Sequence, residues 1–445
     1  MKFSLTNSIA IETSVITTQG LSLAGYITQL RTVADTGSYG ALESSINLPA
    51  DDDLLDQVEK LAVSFITPDL RFVFVIGIGG SNLGTKAIYD ALYGARDVTE
   101  HSKPKLIFVD TNDAALLTAY RDLIWSCTHA TECLLISVSK SGGTTETLAN
   151  TEILLGVFRE KWKTDTDRLV VIADAESPYG VAARAKGIAT LTMPTIVGGR
   201  FSVLSAVGLF PLAIMGLPIK ELHAGAAELR LKCIHPDIAH NPAAQSALVL
   251  AACYEKGMVI HDTFVFQSGL ESLGFWYRQL LGESIGKEQK TGELVGITPT
   301  VSVGSTDLHS VGQLYLGGPR DKITSFVFGT FDHQMPKVPQ ERRVFPELVP
   351  MIAGKSTDTI MSAILAGTKV AYNNRKLPFM EVELEGITLH ELGAFMQFKM
   401  IEVMYLGHLL KVNPFDQPAV ELYKIETKKI LEIPEPVVLT AGDVA

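Results

Sequence analysis

The stretch CLLISVSKSGGTTET, Cys133–Thr147, joins an apolar run of strand length to a loop in which, from Ser137 onward, six hydroxyl side chains and two glycines surround one lysine. A short, wholly apolar run bounded by turn residues reads as a strand buried on both faces. Four more such runs lie nearby: RFVFVIGIG (71–79), KLIFVD (105–110), RLVVIAD (168–174) and IATLTM (188–193), with helix-length stretches between them. That alternation implies a doubly wound layer of parallel strands and helices. A less regular set follows in MVIHDTFVFQ (258–267), KITSFVFG (322–329) and LPFMEVELEG (377–386), interleaved with helical stretches such as ESLGFWYRQLLG and TDTIMSAILAGTKVAYN. The expected fold class is therefore α/β, with two doubly wound domains of mainly parallel sheet flanked by helices. The stretch LHELGAFMQFKMIEVMYLGHLL (389–410) is apolar on most helical faces, which implies burial between domains or at a subunit interface.

Composition narrows the function classes. A chain of 445 residues corresponds to two or three domains at about 150 residues each. No low-complexity linker separates them, and the boundaries read as a lead-in over 1–50, a first domain over 51–209, a second over 210–412 and a C-terminal helical segment over 413–445. Lys and Arg number 38 against 49 Asp and Glu, a net charge of −11 with no long basic block. This argues against a general nucleic-acid surface and leaves room for a local basic pocket. Cys127, Cys133, Cys233 and Cys253 lack paired spacing and lie in apolar segments, so free buried thiols in a reducing compartment are expected, with neither disulfide nor metal. MKFSLTNSIAIETSVITT has no continuous apolar leader, and SVLSAVGLFPLAIMGLP is short for a bilayer and broken by Gly and Pro. The chain reads as soluble and cytoplasmic, with no membrane partner.

Ligands of open α/β sheets bind beyond the carboxyl ends of the strands, where a helix start offers free N–H groups to an anion. Ser139, Ser141 and Thr144 there supply short directional donors, Lys140 supplies charge, and Gly142 and Gly143 allow close backbone approach. The alternative is a helix cap, with Thr144 and Thr147 as the hydroxyl ends of TTET. The earlier loop GIGGSNLGTK (77–86) fails two nucleotide patterns. A dinucleotide fingerprint from Gly77 needs glycine where Asn82 stands, and a P-loop needs Lys directly after Gly84, where Thr85 stands. What remains is a glycine-rich strand-to-helix turn with Ser81, suited to a small phosphorylated ligand or serving only as a tight turn.

Taken together, GIGGSNLG, SVSKSGGTTET, VGGRFSVLSAVGL, LLGESIGKE, STDLHSVGQ and NPFDQPAVELYK resemble the glucose-6-phosphate isomerase family in its shorter bacterial form. The motifs run in the family's order from about residue 75 to residue 424. The resemblance implies two sugar-isomerase-type (SIS) domains, interconversion of glucose 6-phosphate and fructose 6-phosphate in glycolysis and gluconeogenesis, and neither metal nor organic cofactor. It also implies a homodimer in which His309 crosses from the neighbouring subunit.

The resemblance assigns Glu283 as the base that moves a proton between C1 and C2, a task for a carboxylate within reach of both carbons. In a closed pocket, desolvation would raise its affinity for a proton. Arg200 matches the stabiliser of the enediolate, being a guanidinium that keeps its charge. His309 and Lys424 match the ring-opening groups. Gly80, Ser81, Ser139, Lys140, Ser141 and Thr144 fall at phosphate-loop positions, and Gln279 and Gln417 at positions lining the sugar. Read singly, Glu283 and Lys424 are solvated helix residues, Arg200 a surface ion pair and His309 a loop histidine. The interval from Glu283 to His309 is shorter than in animal members of the family, so loop contacts do not carry over.

Other functions leave different marks. A phosphosugar sensor has no need of Glu283, Arg200, His309 and Lys424 together. A nicotinamide dehydrogenase is disfavoured by Asn82, and an amidotransferase-coupled isomerase needs a further glutamine-hydrolysing domain. Acceptance of mannose 6-phosphate, which differs at C2, is left open by the sequence.

Overall fold

The computed structural model describes residues 1–5, 13–94, 97, 104–164, 166–331 and 336–433. Numbered along the chain, the strands are β1 (Lys2–Ser4), β2 (Phe72–Ile76), β3 (Lys105–Val109), β4 (Cys133–Val138), β5 (Leu169–Ala173), β6 (Ala189–Thr192), β7 (Ile260–Val265), β8 (Lys287–Glu288), β9 (Leu294–Val295), β10 (Thr298–Val303), β11 (Lys322–Gly329) and β12 (Phe379–Leu384). The five apolar runs of the first half become one sheet in the order β3-β2-β4-β5-β6, parallel throughout. Every residue of β4 and β5 is buried, which is why these strands read as unbroken apolar runs and not as alternating ones. The second sheet has the order β1-β12-β11-β7-β10 and is parallel except where β1 joins β12 antiparallel. β8 and β9 form a separate small hairpin.

Both sheets follow one plan. The chain starts in the middle (β2, β7), sets the next strand on one side (β3, β10), then crosses to the other (β4, β11) and continues outward (β5, β12). Where the direction reverses, adjacent connections leave in opposite senses and a crevice opens beyond the strand ends. In the first sheet that point lies between β2 and β4. In the second it lies between β7 and β11, and there the Gln267 carboxamide ties the gap, donating to the carbonyl of Gly329 and accepting from its N–H, each at 2.9 Å.

Two strands of the second sheet escape a sequence reading. β10 contains Pro299 and has few apolar side chains, a combination tolerated because the strand lies at the sheet edge and pairs only with β7. β1 is three residues long and lies within the lead-in over 1–50, yet it caps the opposite edge of the second sheet by pairing with β12. The rest of that lead-in is a helix, Thr13–Thr36, and a 3₁₀ segment, Leu42–Ala50; residues 6–12 lie outside the described residues. In the C-terminal segment, Glu421–Leu431 is helical and 434–445 lie outside the described residues.

The apolar helix Leu389–Leu409 is buried within the chain, packed on helices Ile219–Cys233, Pro242–Glu255 and Glu271–Ile285. Its all-round apolar character follows from that position. It also carries a charged pair into the core: Lys399 Nζ lies 2.8 Å from Glu402 Oε2, both side chains being at most 1 % exposed. Glu402 Oε1 accepts from Tyr277 at 2.6 Å, Ser246 donates to Oε2, and Tyr277 reaches His261, which meets Ser325 at 2.8 Å. Burial pushes the Lys399 ammonium down, with Glu402 opposing, and pushes the His261 imidazole well down. All four cysteines are free and buried, and among the described residues no helix is long and apolar enough to cross a membrane.

Breaking a buried pair by removing one partner leaves an uncompensated charge and costs about 3–5 kcal/mol. Glu402→Gln is therefore expected to lower the denaturant midpoint sharply while leaving the unfolding slope unchanged, as followed by circular dichroism. A midpoint within error of wild type would show that the pair adds nothing to stability.

Candidate active site

Two loops meet at the crevice of the first sheet. One follows β2 and passes through the 3₁₀ turn Gly79–Ser81 into helix Leu83–Leu92; the other follows β4 and runs through Ser139–Thr144 into helix Thr145–Trp162. The register Ile76↔Ser137 sets their starting points side by side. In the second loop Ser139 Oγ accepts from the N–H of Gly142, and Ser141 Oγ from that of Gly143, each at 3.1 Å. Hydroxyls used as acceptors keep their own O–H protons to donate, which suits an anion. Thr144 occupies the N-cap position but its side chain makes no capping bond, and Thr147 Oγ1 is buried without a hydrogen-bond partner, so the loop is not a capping box. Lys140 is half-buried, and burial pushes its ammonium down while Asp174 opposes.

The glycines of the first loop have a steric reason. Gly79 adopts a left-handed backbone, φ +59°, and a Cβ there would lie 2.7 Å from Gln279 Nε2. A Cβ on Gly80 would lie 2.1 Å from the carbonyl carbon of Gly199 and 2.4 Å from the backbone nitrogen of Arg200. The GG turn at 79–80 is thus pressed directly against the GG turn at 198–199, and this contact brings Arg200 to the loop.

Arg200 is 2 % exposed and its five N–H groups all have acceptors. Nε donates to Ser284 Oγ at 2.8 Å, and Nη1 to Gln417 Oε1 at 2.5 Å and Glu283 Oε2 at 3.4 Å. Nη2 donates to the carbonyls of Pro414 at 2.6 Å and Asp416 at 2.9 Å. Burial pushes its guanidinium down while Glu283 and Asp416 oppose, and an arginine so held stays charged at working pH. Glu283 sits one helical turn beyond Gln279 in helix Glu271–Ile285, and Gln279 Nε2 donates to Glu283 Oε1 at 3.2 Å. Gln279 Oε1 is buried without a protein partner.

Glu283 opens onto a cleft of about 640 Å³ lined also by Lys287, Asp416, Gln417 and Leu422. Its side chain is 30 % exposed beside a guanidinium, so in this conformation its surroundings are charged and open, in contrast to the closed desolvating pocket expected from sequence. The fold therefore joins Arg200, Glu283, Gln279 and Gln417, and sets Gly80 and Ser81 next to them. It does not bring in the other two groups. Lys424 pairs with Glu421 at 2.7 Å on a helix with no buried residue, and His309 is exposed on the 3₁₀ turn that follows β10.

Sequence reading missed Ser284, Lys287 and Asp416, although all three lie inside LLGESIGKE and NPFDQPAVELYK. Lys287 Nζ lies 2.5 Å from Asp416 Oδ1 with its side chain 7 % exposed, and burial pushes its ammonium down while Asp416 opposes. Among the described residues no group of three or more His, Cys, Asp and Glu is placed to hold a metal ion.

Two mainly parallel sheets, with a hydroxyl-rich, glycine-rich crevice at the switch point of the first and a carboxylate–guanidinium pair beside it, define a sugar-isomerase-type α/β protein. Residues 65–441 match the family Phosphoglucose isomerase. A glucose-6-phosphate isomerase of Bacillus anthracis is 32 % identical over 399 residues, covering 87 % of this chain and 86 % of that one. A hypothetical protein of Thermus thermophilus superposes with a TM-score of 0.86 at 28 % identity, covering 97 % of this chain and 100 % of that one. A glucose-6-phosphate isomerase of Chlamydia trachomatis shares the fold, with a TM-score of 0.72 at 22 % identity over 88 % of this chain and 76 % of that one. The chain belongs to the phosphoglucose isomerase family.

A methyl group at position 80 has no room against Gly199, so Gly80→Ala must push the first loop away from Arg200. A displacement of about 1 Å at reacting groups can cost roughly 10²-fold in rate. Gly80→Ala is expected to lower kcat/KM for hexose phosphate by about that factor; an unchanged value in a coupled steady-state assay would refute the close-contact account.

Proposed function

We propose that the chain interconverts glucose 6-phosphate and fructose 6-phosphate, with Glu283 as the proton-transfer base and Arg200 as the stabiliser of a cis-enediolate. The observation that carries this reading is the carboxylate of Glu283 lying 3.4 Å from a fully hydrogen-bonded guanidinium and lining a cleft with Lys287, Asp416 and Gln417, while the Gly79–Gly80 turn is pressed against Gln279 and Arg200. The phosphate is held by Ser81, Ser139, Lys140, Ser141 and Thr144, with Gly80 permitting the approach, and Gln279 and Gln417 meet the sugar hydroxyls. In the open-chain aldose, Glu283 takes the proton from C2. The C1 carbonyl becomes an enediolate oxygen; the proton, exchangeable with solvent while on Glu283, is delivered to C1 as the O2 hydroxyl proton passes to O1, which gives the C2 ketone and the C1 alcohol. Negative charge grows on oxygen in the transition state, so a fixed cation contributes most there. The cycle is an internal redox exchange between two carbons and balances without an external electron acceptor.

His309 and Lys424 open the sugar ring, and His309 is supplied by a second copy of the chain in a homodimer. Its exposure on the 3₁₀ turn after β10 leaves it accessible to a second chain. Lys424 exchanges its bond to Glu421 for the substrate. The same reading divides the chain at 51–209 and 210–412, with 413–445 completing the site, and sets the enzyme in the cytoplasm.

Proton NMR of the protein with fructose 6-phosphate in heavy water is expected to show glucose 6-phosphate deuterated at C2 without added metal or nucleotide. Glu283→Gln is expected to bind the substrate yet lose that exchange; exchange persisting in the variant would remove Glu283 as the base. Binding without conversion by the wild-type chain would instead mark a phosphosugar sensor.

The trans placement of His309 has its own test. Random pairing of inactive His309→Ala and Glu283→Gln chains creates hybrids with one intact site, and regains roughly a quarter of wild-type specific activity. If His309 serves its own chain, each site of a hybrid carries one lesion and no activity returns.

A further inference from the structure

Helix Glu421–Leu431 buries none of its residues, and Leu422, Tyr423, Ile425 and Leu431 are all at least 50 % exposed. Apolar packing within the chain therefore does little to hold this helix, although it carries Lys424. What precedes it is different. In the segment 413–417, Phe415 packs on Phe201 and the core, while polar contacts hold the cleft side: Arg200 donates to the carbonyls of Pro414 and Asp416 and to the side chain of Gln417. Lys287 Nζ donates to the same Asp416 carbonyl and to Asp416 Oδ1, while Asn413 Nδ2 donates to Asp416 Oδ2 at 2.8 Å. Both carboxylate oxygens and the carbonyl of Asp416 are thus engaged, and the carbonyl is shared between two cations.

Lys287 is well placed for such a role. It begins β8 directly after the helix that ends at Ile285, four residues beyond Glu283, so its backbone is joined to the segment bearing the base. The small hairpin of β8 and β9 is itself tied to the helix end before the loop, Gln289 Nε2 donating to the carbonyl of Leu410 at 2.8 Å. The Lys287 side chain is 7 % exposed while that of Asp416 is 52 % exposed, so the lysine is covered and the carboxylate it meets stays open to solvent.

We propose that Lys287 is a positioning residue: with Asp416 it pins the 413–417 segment against the Arg200 and Glu283 end of the cleft, and so sets where Gln417 and the helix carrying Lys424 stand. The inference rests on the reading of Gln417 and Lys424 as sugar contacts, but its primary measurement does not depend on it. Lys287 does not touch the reacting carbons; it acts through the segment it holds.

The test compares full-length Lys287→Met, Lys287→Arg and Asp416→Asn by hydrogen–deuterium exchange and by steady-state kinetics with fructose 6-phosphate. In Lys287→Met the amides of 421–431 are expected to exchange about tenfold faster, with those of 271–285 unchanged, because only the local opening equilibrium shifts. The value of kcat/KM is expected to fall roughly tenfold, and Lys287→Arg to recover most of both effects. Asp416→Asn keeps the shape of the contact and weakens its charge, so it should give a smaller change in the same amides. Faster exchange across the whole chain would mean a merely structural role, and reduced activity with unaltered exchange in 421–431 would mean direct contact with substrate. Either result overturns the proposal, as does a variant indistinguishable from wild type. Local loosening with unchanged kinetics would keep the clamp, reject its catalytic consequence and count against Lys424 and Gln417, while leaving the Glu283 assignment standing.

Discussion

The site depends on one buried guanidinium. Arg200 has five donors, and each is taken by a different acceptor drawn from helix Glu271–Ile285 or from the 413–417 segment. A planar fork with every donor engaged has little freedom to move, so its charge is fixed in direction before any substrate arrives. The weakest of its five bonds by distance is the one to Glu283, 3.4 Å against 2.5–2.9 Å for the others. The carboxylate is therefore the most weakly held of the five acceptors, while the remaining bonds keep the arginine in place.

Holding Arg200 there requires two backbones to touch, and that accounts for the glycines. The turn at Gly79–Gly80 and the turn at Gly198–Gly199 approach too closely for a side chain at position 80. The first turn leaves β2 at the switch point of the first sheet, next to the hydroxyl-rich loop that leaves β4. A single contact thus couples the loops suited to phosphate with the pair suited to proton transfer. The second sheet repeats the strand plan, yet its corresponding gap is bridged by Gln267, and the helix that follows β7 delivers Gln279 and Glu283 to the first crevice instead. Two similar halves consequently play different parts: the first carries the turn pressed on Gln279 and Arg200, and the second carries Glu283 and Lys287, which line the cleft with the 413–417 segment.

The helix bearing Glu283 is anchored from behind as well. Tyr277, on the same helix, donates to Glu402 in a buried network that also holds Lys399, Ser246 and His261. A polar network in a core is expensive unless each member is bonded, and here the pairing fixes the rotation of the helix about its own axis. That rotation decides whether Gln279 and Glu283 face Arg200.

Much of this was legible in the chain itself. Of the five apolar runs of the first half, β4 and β5 are buried on both faces, and burial of that kind leaves an unmistakable composition, while the edge strands β3 and β6 are only partly buried. Arg200, Glu283, Gln279 and Gln417 were assigned by the family resemblance and not by local pattern, and the fold joins these four by hydrogen bonds. β1 and β10 were not legible, because β1 is three residues long and β10 carries Pro299 and few apolar side chains, both tolerated at an edge that answers to one neighbour. Nor were Ser284, Lys287 and Asp416, whose importance comes from meeting partners more than 80 residues away. Sequence by itself determined which residue types stand at the strand ends, because local sterics and solvation act on neighbours in the chain. Only the tertiary structure decided that a guanidinium at 200 would be saturated by residues 283–284 and 414–417, because hydrogen-bond geometry depends on distances that folding alone creates.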